Sequence, residues 1–509
     1  MSQHFEKETM MSRQNQDYLQ SQVTEWSFIC AKEYENSFIG VTVDVYFNGS
    51  DGANLRVLTF YDGNHTWKVR FNSPVAGNWR FRNRVNPPDV YLGQSSTFLV
   101  GPVEERGGIQ AAPSRTWGFA KVLDEPALLL GNTVYRPFAI RYCCGKVPAF
   151  LKQRAEQGFN LLCVRVPVSL FHPPVGYSAW QMRCAWPWEG SEQSPLFDRF
   201  NLNYFNTVDD LVRQVEALGI GIEMVMGTWE KFQFNSRDIF VPEWVDLWTH
   251  YLIACSNAYK SLFPWTPLNE YEHYPNVDWH CKPIADRWAM HVVNWMIGTG
   301  PRWHIVSVYN GPREPALTHR FTNSPDAVDA IMCQCWRSTG PQDAWLATGI
   351  DEQIAVSFKD FWSSAVFAEG CNECDLDFEL LVPGHQLEED QPGLAYLLPL
   401  RRFLSEVVPF AQLSSSPEMI YPAERPLGYH PLAPAPAEKD RGTIYFLDGG
   451  QAGLDLLADR IFEADWFTPC TCQTQAVLER ICSDKVTITA TRGEQFSHPC
   501  KAVLVLCSR

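Results

Sequence analysis

The sequence predicts an α/β protein in which a (β/α)8 TIM barrel is flanked by an N-terminal β-sandwich and a small C-terminal β-sandwich. Three observations carry this expectation. Apolar residues alternate with period two over 23–101, strand-like apolar runs alternate with helical stretches over 117–410, and short strands return over 441–509. A chain of 509 residues, 45% hydrophobic and 20% charged, has the length and composition to bury several cores.

The elements follow in order. Residues 1–22 show neither period, and are expected to be a disordered segment. They contain no apolar stretch of the kind a secretory leader needs, so a cytoplasmic location is expected, or secretion if the true start lies upstream. Val41, Val43, Val45 and Phe47 then alternate with Thr42, Asp44 and Tyr46, as along a half-buried strand. Asn48-Gly49 and Asp62-Gly63 are turn signals, and further strands are expected at 67–71 and 79–84. Arg80, Arg82 and Arg84 share one strand face opposite Phe81, the pattern of a solvated outer face. The Gly/Pro-rich stretch 101–116 reads as a boundary.

Over 117–410 strands are expected at Leu128–Leu130, Leu161–Val166, Gly221–Met226, His304–Tyr309, Ala330–Cys335 and Ala365–Ala368. Amphipathic helices separate them. One spans 203–218 and puts Leu211, Val212, Val215 and Leu218 on one side. A doubly wound sheet would want a phosphate-binding turn that opens a helix, whereas Gly219-Ile220-Gly221 runs into a strand. Residues 411–440 include the run PLAPAPAEK and read as a Pro-rich linker. Strands at Thr443–Leu447, Asp465–Phe467, Val486–Ala490 and Ala502–Leu506 build the last domain.

Charge and motifs narrow the function. The 42 basic residues against 58 acidic ones leave a net charge of −16, which argues against nucleic acid or an anionic membrane as partner. No run approaches the ~18 apolar residues that a membrane span needs. The chain has no G-x-S-x-G elbow, no H-E-x-x-H and no Walker-type loop. It carries 19 Trp, which fill cores and also serve as platforms for sugar rings. The 16 Cys fall mostly in apolar runs and read as reduced, buried thiols.

Barrel enzymes hold their chemistry at the C-terminal ends of strands. There the run Trp265-Thr266-Pro267-Leu268 delivers Asn269 and Glu270, and Ala365-Val366-Phe367-Ala368 delivers Glu369. The two glutamates are 99 residues apart, close to three βα units, so they can converge across the barrel mouth. Glycosidic cleavage needs such a pair, one carboxyl protonated for the leaving oxygen and one ionised to attack or to activate water. Asn269 is placed to bond a sugar 2-hydroxyl. No cofactor and no metal is required, and the partner expected is carbohydrate. The oligomeric state is not legible.

Asn-Glu at the fourth strand and Glu at the seventh resemble the signature of clan-A retaining glycoside hydrolases. The chain as a whole resembles the apiosidase-like glycoside hydrolases, through YENSFIGVTVDVYFNG, FYDGNHTWKVRFNSPVAGNWRF, LLLGNTVYRPF, GFNLLCVRVPVS, FDRFNLNYFNTVDDLVRQVEALGI, PLNEYEHYP, HIVSVYNGP and AVFAEGCNE, and at the end through ADWFTPCT and AVLVLCSR. The resemblance implies a sandwich, a barrel and a C-terminal β-domain, and activity on plant-type polysaccharide or its side chains. It implies Glu270 as general acid/base and Glu369 as nucleophile, with Arg165 orienting the nucleophile. A charged residue ending a buried strand needs an anionic partner, which agrees. Tyr135, Trp229, Tyr309 and Trp336 end or follow expected strands and are candidates either for sugar subsites or for core packing. Trp186 and Trp188, in the stretch after the second strand, are candidates for a stacking platform.

Two alternatives stand beside this reading. Cys333-x-Cys335, Cys371-x-x-Cys374 and Cys470-x-Cys472 are possible metal or redox pairs, although only one C-x-x-C is present. About 23 residues separate Glu369 from the next helical pattern near Gly393, with Phe378–Val382 as the only run for an eighth strand. Such a shortened barrel would suit a carbohydrate-binding or interaction protein that has lost turnover.

Overall fold

The computed structural model describes residues 18–103, 108–111, 119–121, 127–134, 137–138, 141, 147–166, 187–191, 194–227, 242–267, 269, 271, 283–299, 301, 304–309, 328–332, 365–367, 402–407, 414–415, 419–421, 434–435, 439–446, 450–457, 460–468, 473–476, 485–490 and 502–508. Among these no helix is long and apolar enough to cross a membrane.

Seven strands form the N-terminal domain: β1 (Tyr18–Leu19), β2 (Val23–Ile29), β3 (Thr42–Gly49), β4 (Asn54–Tyr61), β5 (Thr66–Asn72), β6 (Gly77–Asn86) and β7 (Ser95–Gly101), in the order β1-β7-β6-β3-β4-β5-β2. The sheet folds over on itself at β4. The first half of β4, Asn54–Leu58, pairs with β3, and the second half, Thr59–Tyr61, pairs with β5. The two layers then face each other, and Phe47 on β3 stacks on Phe71 of β5 at 4.0 Å between ring centroids, a contact worth about 1 kcal/mol beyond its buried area. The period-two expectation holds residue by residue. Val43, Val45 and Phe47 are buried on β3, while Trp79, Phe81 and Asn83 are buried on β6 opposite exposed Arg80, Arg82 and Arg84. The turn at Asp62-Gly63 needs a left-handed backbone, which Gly63 supplies at φ +82°.

The expected disordered segment 1–22 is corrected at its end. Tyr18 and Leu19 pair in parallel with Val100 and Gly101, and Gln20 is buried with its amide donating to the Pro74 carbonyl at 2.6 Å. The edge of β7 would otherwise leave backbone groups unpaired.

A hairpin of β8 (Ile109–Ala111) and β9 (Phe119–Lys121) leads to the barrel. The barrel elements are β10 (Leu129–Thr133), α1 (Val147–Glu156), β11 (Leu161–Arg165), the hairpin β12 (Trp188–Ser191) with β13 (Ser194–Phe200), α2 (Leu202–Ala217), β14 (Gly221–Val225), α3 (Pro242–Ser256), β15 (Leu262–Thr266), α4 (Pro283–Thr299), β16 (Ser307–Tyr309), β17 (Ala330–Met332) and β18 (Ala365–Phe367). Asn201 caps α2, its side chain accepting from the Tyr204 amide. Parallel pairing runs β18-β10-β11-β14-β15, one bridge from Trp265 to Val306 reaches the β16 strand, and β16 pairs with β17.

One neighbour differs from expectation. The strand ending before Glu369, expected as the seventh, pairs directly with β10, Leu129 opposite Ala365 and Gly131 opposite Phe367. In a closed eight-stranded barrel that edge belongs to the eighth strand. The run Phe378–Val382 lies outside the described residues.

Side chains alternate across the barrel wall. Leu162, Val164, Ile222 and Met224 pack outward with Phe150 of α1, Leu211 and Val215 of α2 and Leu252 of α3. Leu129, Leu161, Cys163, Val225, Phe263 and Ile305 pack inward. Trp188 belongs to the outer core: it is 2% exposed and packs on Trp248 and Phe197, which corrects its reading as a sugar platform.

Arg70 of β5 joins sandwich to barrel. Its guanidinium is 4% exposed and bonds Asp209 of α2 with both Nη atoms at 2.5 and 2.6 Å, the Cys255 carbonyl of α3 at 2.5 Å and Glu25 at 2.8 Å.

Among the described residues the C-terminal domain holds a four-stranded sheet and a three-stranded sheet that share a core of Met419, Ile420, Ile444, Leu454, Phe462, Leu504 and Leu506. Residues 411–440 are therefore not wholly a linker. Met419 and Ile420 lie in that core, Ile420–Tyr421 pairs with Gly450–Asp455, and Ser414–Ser415 pairs with Pro434–Ala435. Proline fits there because a short edge pair asks for few amide donors.

Removing the Arg70 guanidinium leaves Asp209 without its bidentate partner. Arg70→Ala is expected to cost roughly 3 kcal/mol, read as a lower denaturation midpoint. Combining it with Asp209→Ala is expected to cost less than the sum.

Candidate active site

Arg165 ends β11 and is buried, level with Val225 of β14, which in turn is level with Thr266 of β15. The inward set Leu161, Cys163 and Arg165 follows from alternation along a parallel strand. On β15 simple alternation fails. Ile222 pairs with Leu262 and Met224 with Trp265, so Phe263 and Pro264 together face Glu223 alone. Pro264 has no amide hydrogen to give to the ladder, and a bulge accommodates it. The bulge turns Trp265 outward, where its indole donates to Asn257 Oδ1 at 3.1 Å, and turns Thr266 inward beside Glu223.

Beyond the bulge the chain continues along the end of β14. The Thr266 carbonyl accepts from the Met226 amide at 2.8 Å, and the Asn269 amide donates to the Gly227 carbonyl at 3.0 Å. Asn269 is 1% exposed, and among the described residues its Oδ1 has no hydrogen-bond partner. Tyr271 is buried too, with its hydroxyl bonded to Asp286 in the first turn of α4 at 3.1 Å. The sequence neighbours of Glu270 are thus fixed on both sides.

The structure places Arg165 and Asn269 at C-terminal strand ends of one barrel. It places Tyr309 at the end of β16, its side chain lying outside the described residues. Glu270, Glu369, Tyr135, Trp229, Trp336 and Trp186 lie outside the described residues, as do the three cysteine pairs. Among the described residues Cys30, Cys163 and Cys255 are buried thiols outside any disulfide, and Cys507 is an exposed one. No group of three or more His, Cys, Asp or Glu side chains that could hold a metal occurs among them.

The sequence reading passed over Glu223. It is 0% exposed inside the barrel, with Oε1 accepting from Thr266 Oγ1 at 2.6 Å, and Thr266 Oγ1 lies 2.5 Å from Ser307 Oγ. Oε2 has no partner among the described residues. Burial pushes this carboxyl up to about 7, and the hydrogen bonds from Thr266 and Cys163 offset that only in part. A glutamate within the otherwise apolar run Gly221–Val225 was the available signal, since charged residues are rarely fully buried without a partner.

Comparison with known proteins fits this geometry. Residues 118–303 match the family model described as the apiosidase-like catalytic domain, and residues 19–86 match that of a domain of unknown function, DUF5060. Over residues 118–303 the chain is thus similar to the apiosidase-like catalytic domain. Among solved structures, a candidate glycoside hydrolase from Bacteroides vulgatus ATCC 8482 superposes with a TM-score of 0.65 at 16% identity, covering 97% of this chain and 100% of its own. A glycoside hydrolase family 5 structure from the same organism gives 0.54 at 12% identity, covering 78% of this chain and 93% of its own. These likenesses show the shared fold. A search of curated proteins finds no match.

The raised Glu223 carboxyl has a signed consequence. The fold prefers its neutral form, so its contribution to stability is complete below about 4.5 and falls as pH rises through about 7. Glu223→Gln is expected to flatten this fall, so its thermal midpoint changes less than the parent's between about pH 5 and pH 8. His304, pushed down to about 4 by burial, titrates in both proteins and cancels in the comparison.

Proposed function

We propose that the protein is a retaining glycosidase acting on plant-type polysaccharide or oligosaccharide side chains. The observation that carries this reading is the burial of Arg165 and Asn269 at C-terminal strand ends of an apiosidase-like barrel. That is the face where barrel enzymes hold their chemistry.

In this reading Glu270 protonates the glycosidic oxygen as the anomeric carbon–oxygen bond breaks. Glu369 attacks the anomeric carbon and forms a glycosyl-enzyme. Water, deprotonated by Glu270, then releases the sugar and restores both carboxyls. Asn269 bonds the 2-hydroxyl, where contacts strengthen in the transition state. Arg165 provides positive charge beside the nucleophile, which keeps Glu369 ionised while Glu270 holds its proton. The aromatic candidates Tyr135, Trp229, Tyr309 and Trp336 supply faces for sugar rings.

A second reading keeps the fold and the carbohydrate but not the turnover. It draws on β18, which stands directly beside β10 and so puts the Glu369 strand one place from where a seventh strand belongs.

Sugar release from a panel of aryl glycosides and pectic fragments separates the two. The parent is expected to release sugar, and Glu270→Ala and Glu369→Ala are each expected to lose ~10³-fold or more in kcat/KM. A folded parent that releases nothing across the panel supports the binding reading instead.

A further inference from the structure

We propose that Glu223 is a positioning residue for turnover: with the hydroxyls of Thr266 and Ser307 it forms one hydrogen-bonded chain across β14, β15 and β16 that sets the segment delivering Asn269 and Glu270. The proposal rests on the glycosidase reading for what that segment does, but not for the coupling itself.

Three features of the barrel interior support it. The chain is short and dry, with links of 2.6 and 2.5 Å between side chains that are each 0% exposed. It exists because of the bulge at Phe263-Pro264, which turns Thr266 inward opposite Glu223. Thr266 is also where the backbone leaves the barrel wall, three residues before Asn269, and its carbonyl and the Asn269 amide both bond the end of β14.

The direction of the chain depends on the proton of Glu223. An ionised carboxyl only accepts, so Thr266 must donate to it and Ser307 must donate to Thr266. A neutral carboxyl can donate from Oε1 to Thr266, which then donates to Ser307 and leaves the Ser307 hydrogen for another acceptor. Both hydroxyl rotors turn between the two states. Among the described residues the groups facing Glu223 are Cys163 from β11, Thr266 from β15 and, through Thr266, Ser307 from β16. Arg165 stands one inward position further along β11, level with Val225 and not with Glu223. Among the described residues no charged partner contributes to the carboxyl's preference, and burial holds it neutral below about pH 7. Ionisation spreads a negative charge over both carboxyl oxygens in this buried site, and the strain falls on Thr266 and the segment beyond it.

The test uses the full chain labelled with 15N-asparagine, following the Asn269 amide by NMR between about pH 5 and pH 9. In the parent this signal is expected to titrate with a midpoint near 7. Glu223→Gln and Thr266→Val are each expected to abolish the titration, and Thr266→Ser is expected to keep it. In turnover, Thr266→Val is expected to lower kcat about 10-fold to 100-fold with little change in KM, and Thr266→Ser to recover most of that loss. The parent's kcat is expected to fall through the same midpoint, and that of Glu223→Gln not to.

An Asn269 amide that is silent over this range, or that titrates equally in Glu223→Gln, overturns the proposal. Equal kcat in Thr266→Val and Thr266→Ser overturns it as well, and that pair stands even if Glu223→Gln does not fold. Sugar release by the parent decides the glycosidase reading separately, because the amide titration needs no turnover.

Discussion

A side chain on a barrel strand has two directions open to it, outward to the helices or inward to the lumen, and the bulge at Phe263-Pro264 decides which residues of β15 take which. Strict alternation after Phe263 would have sent Trp265 inward and Thr266 out. With two residues opposite Glu223, Trp265 joins the outer core, and Thr266 reaches both the buried carboxyl and Ser307. The placement of Asn269 on the end of β14 follows from that shift. A parallel sheet supplies the frame, and one proline in one strand supplies the departure from it.

The helices that back this wall are held from outside by the sandwich. Arg70 reaches from β5 to Asp209 on α2 and to the Cys255 carbonyl at the end of α3, while Tyr251 of α3 bonds the Tyr61 carbonyl of β4 at 2.7 Å. Tyr259 and Arg213 complete the cluster around Asp209, so several donors share the carboxylate. Taking a guanidinium out of water is costly, and the site is satisfied only with the two domains in contact. The N-terminal domain is therefore part of what fixes α2 and α3 against β11, β14 and β15.

Most of the fold was legible because burial and period coincide. The alternation of Val43, Val45 and Phe47 could only be a half-buried strand, and the helix over 203–218 appears as Leu202–Ala217 with Leu211, Val212 and Val215 buried, while Leu218, expected on the same side, is the exposed C-cap. Edges were less legible. Tyr18–Leu19, Ser414–Ser415 and Ile420–Tyr421 are two-residue strands, too short to show a period, and they exist because a neighbouring strand has an edge to pair. The same holds for Trp188, whose sequence neighbours suggest a loop while its burial depends on Trp248, 60 residues away. At the site, Arg165 and Asn269 stood out as polar residues ending apolar runs. Glu223 did not, because its meaning depends on Thr266 facing inward, and only the bulge makes it do so.

In the proposed reaction Glu270 and Glu369 act by double displacement. Two successive inversions at one carbon restore the starting configuration, whereas a single attack by water reverses it. The most direct test is the anomeric configuration of the first-formed sugar, read by proton NMR in the opening minutes of hydrolysis before mutarotation. The account predicts a product with the configuration of the substrate. A product of the opposite configuration would contradict it, because Glu369 would then be acting on water and not on the sugar.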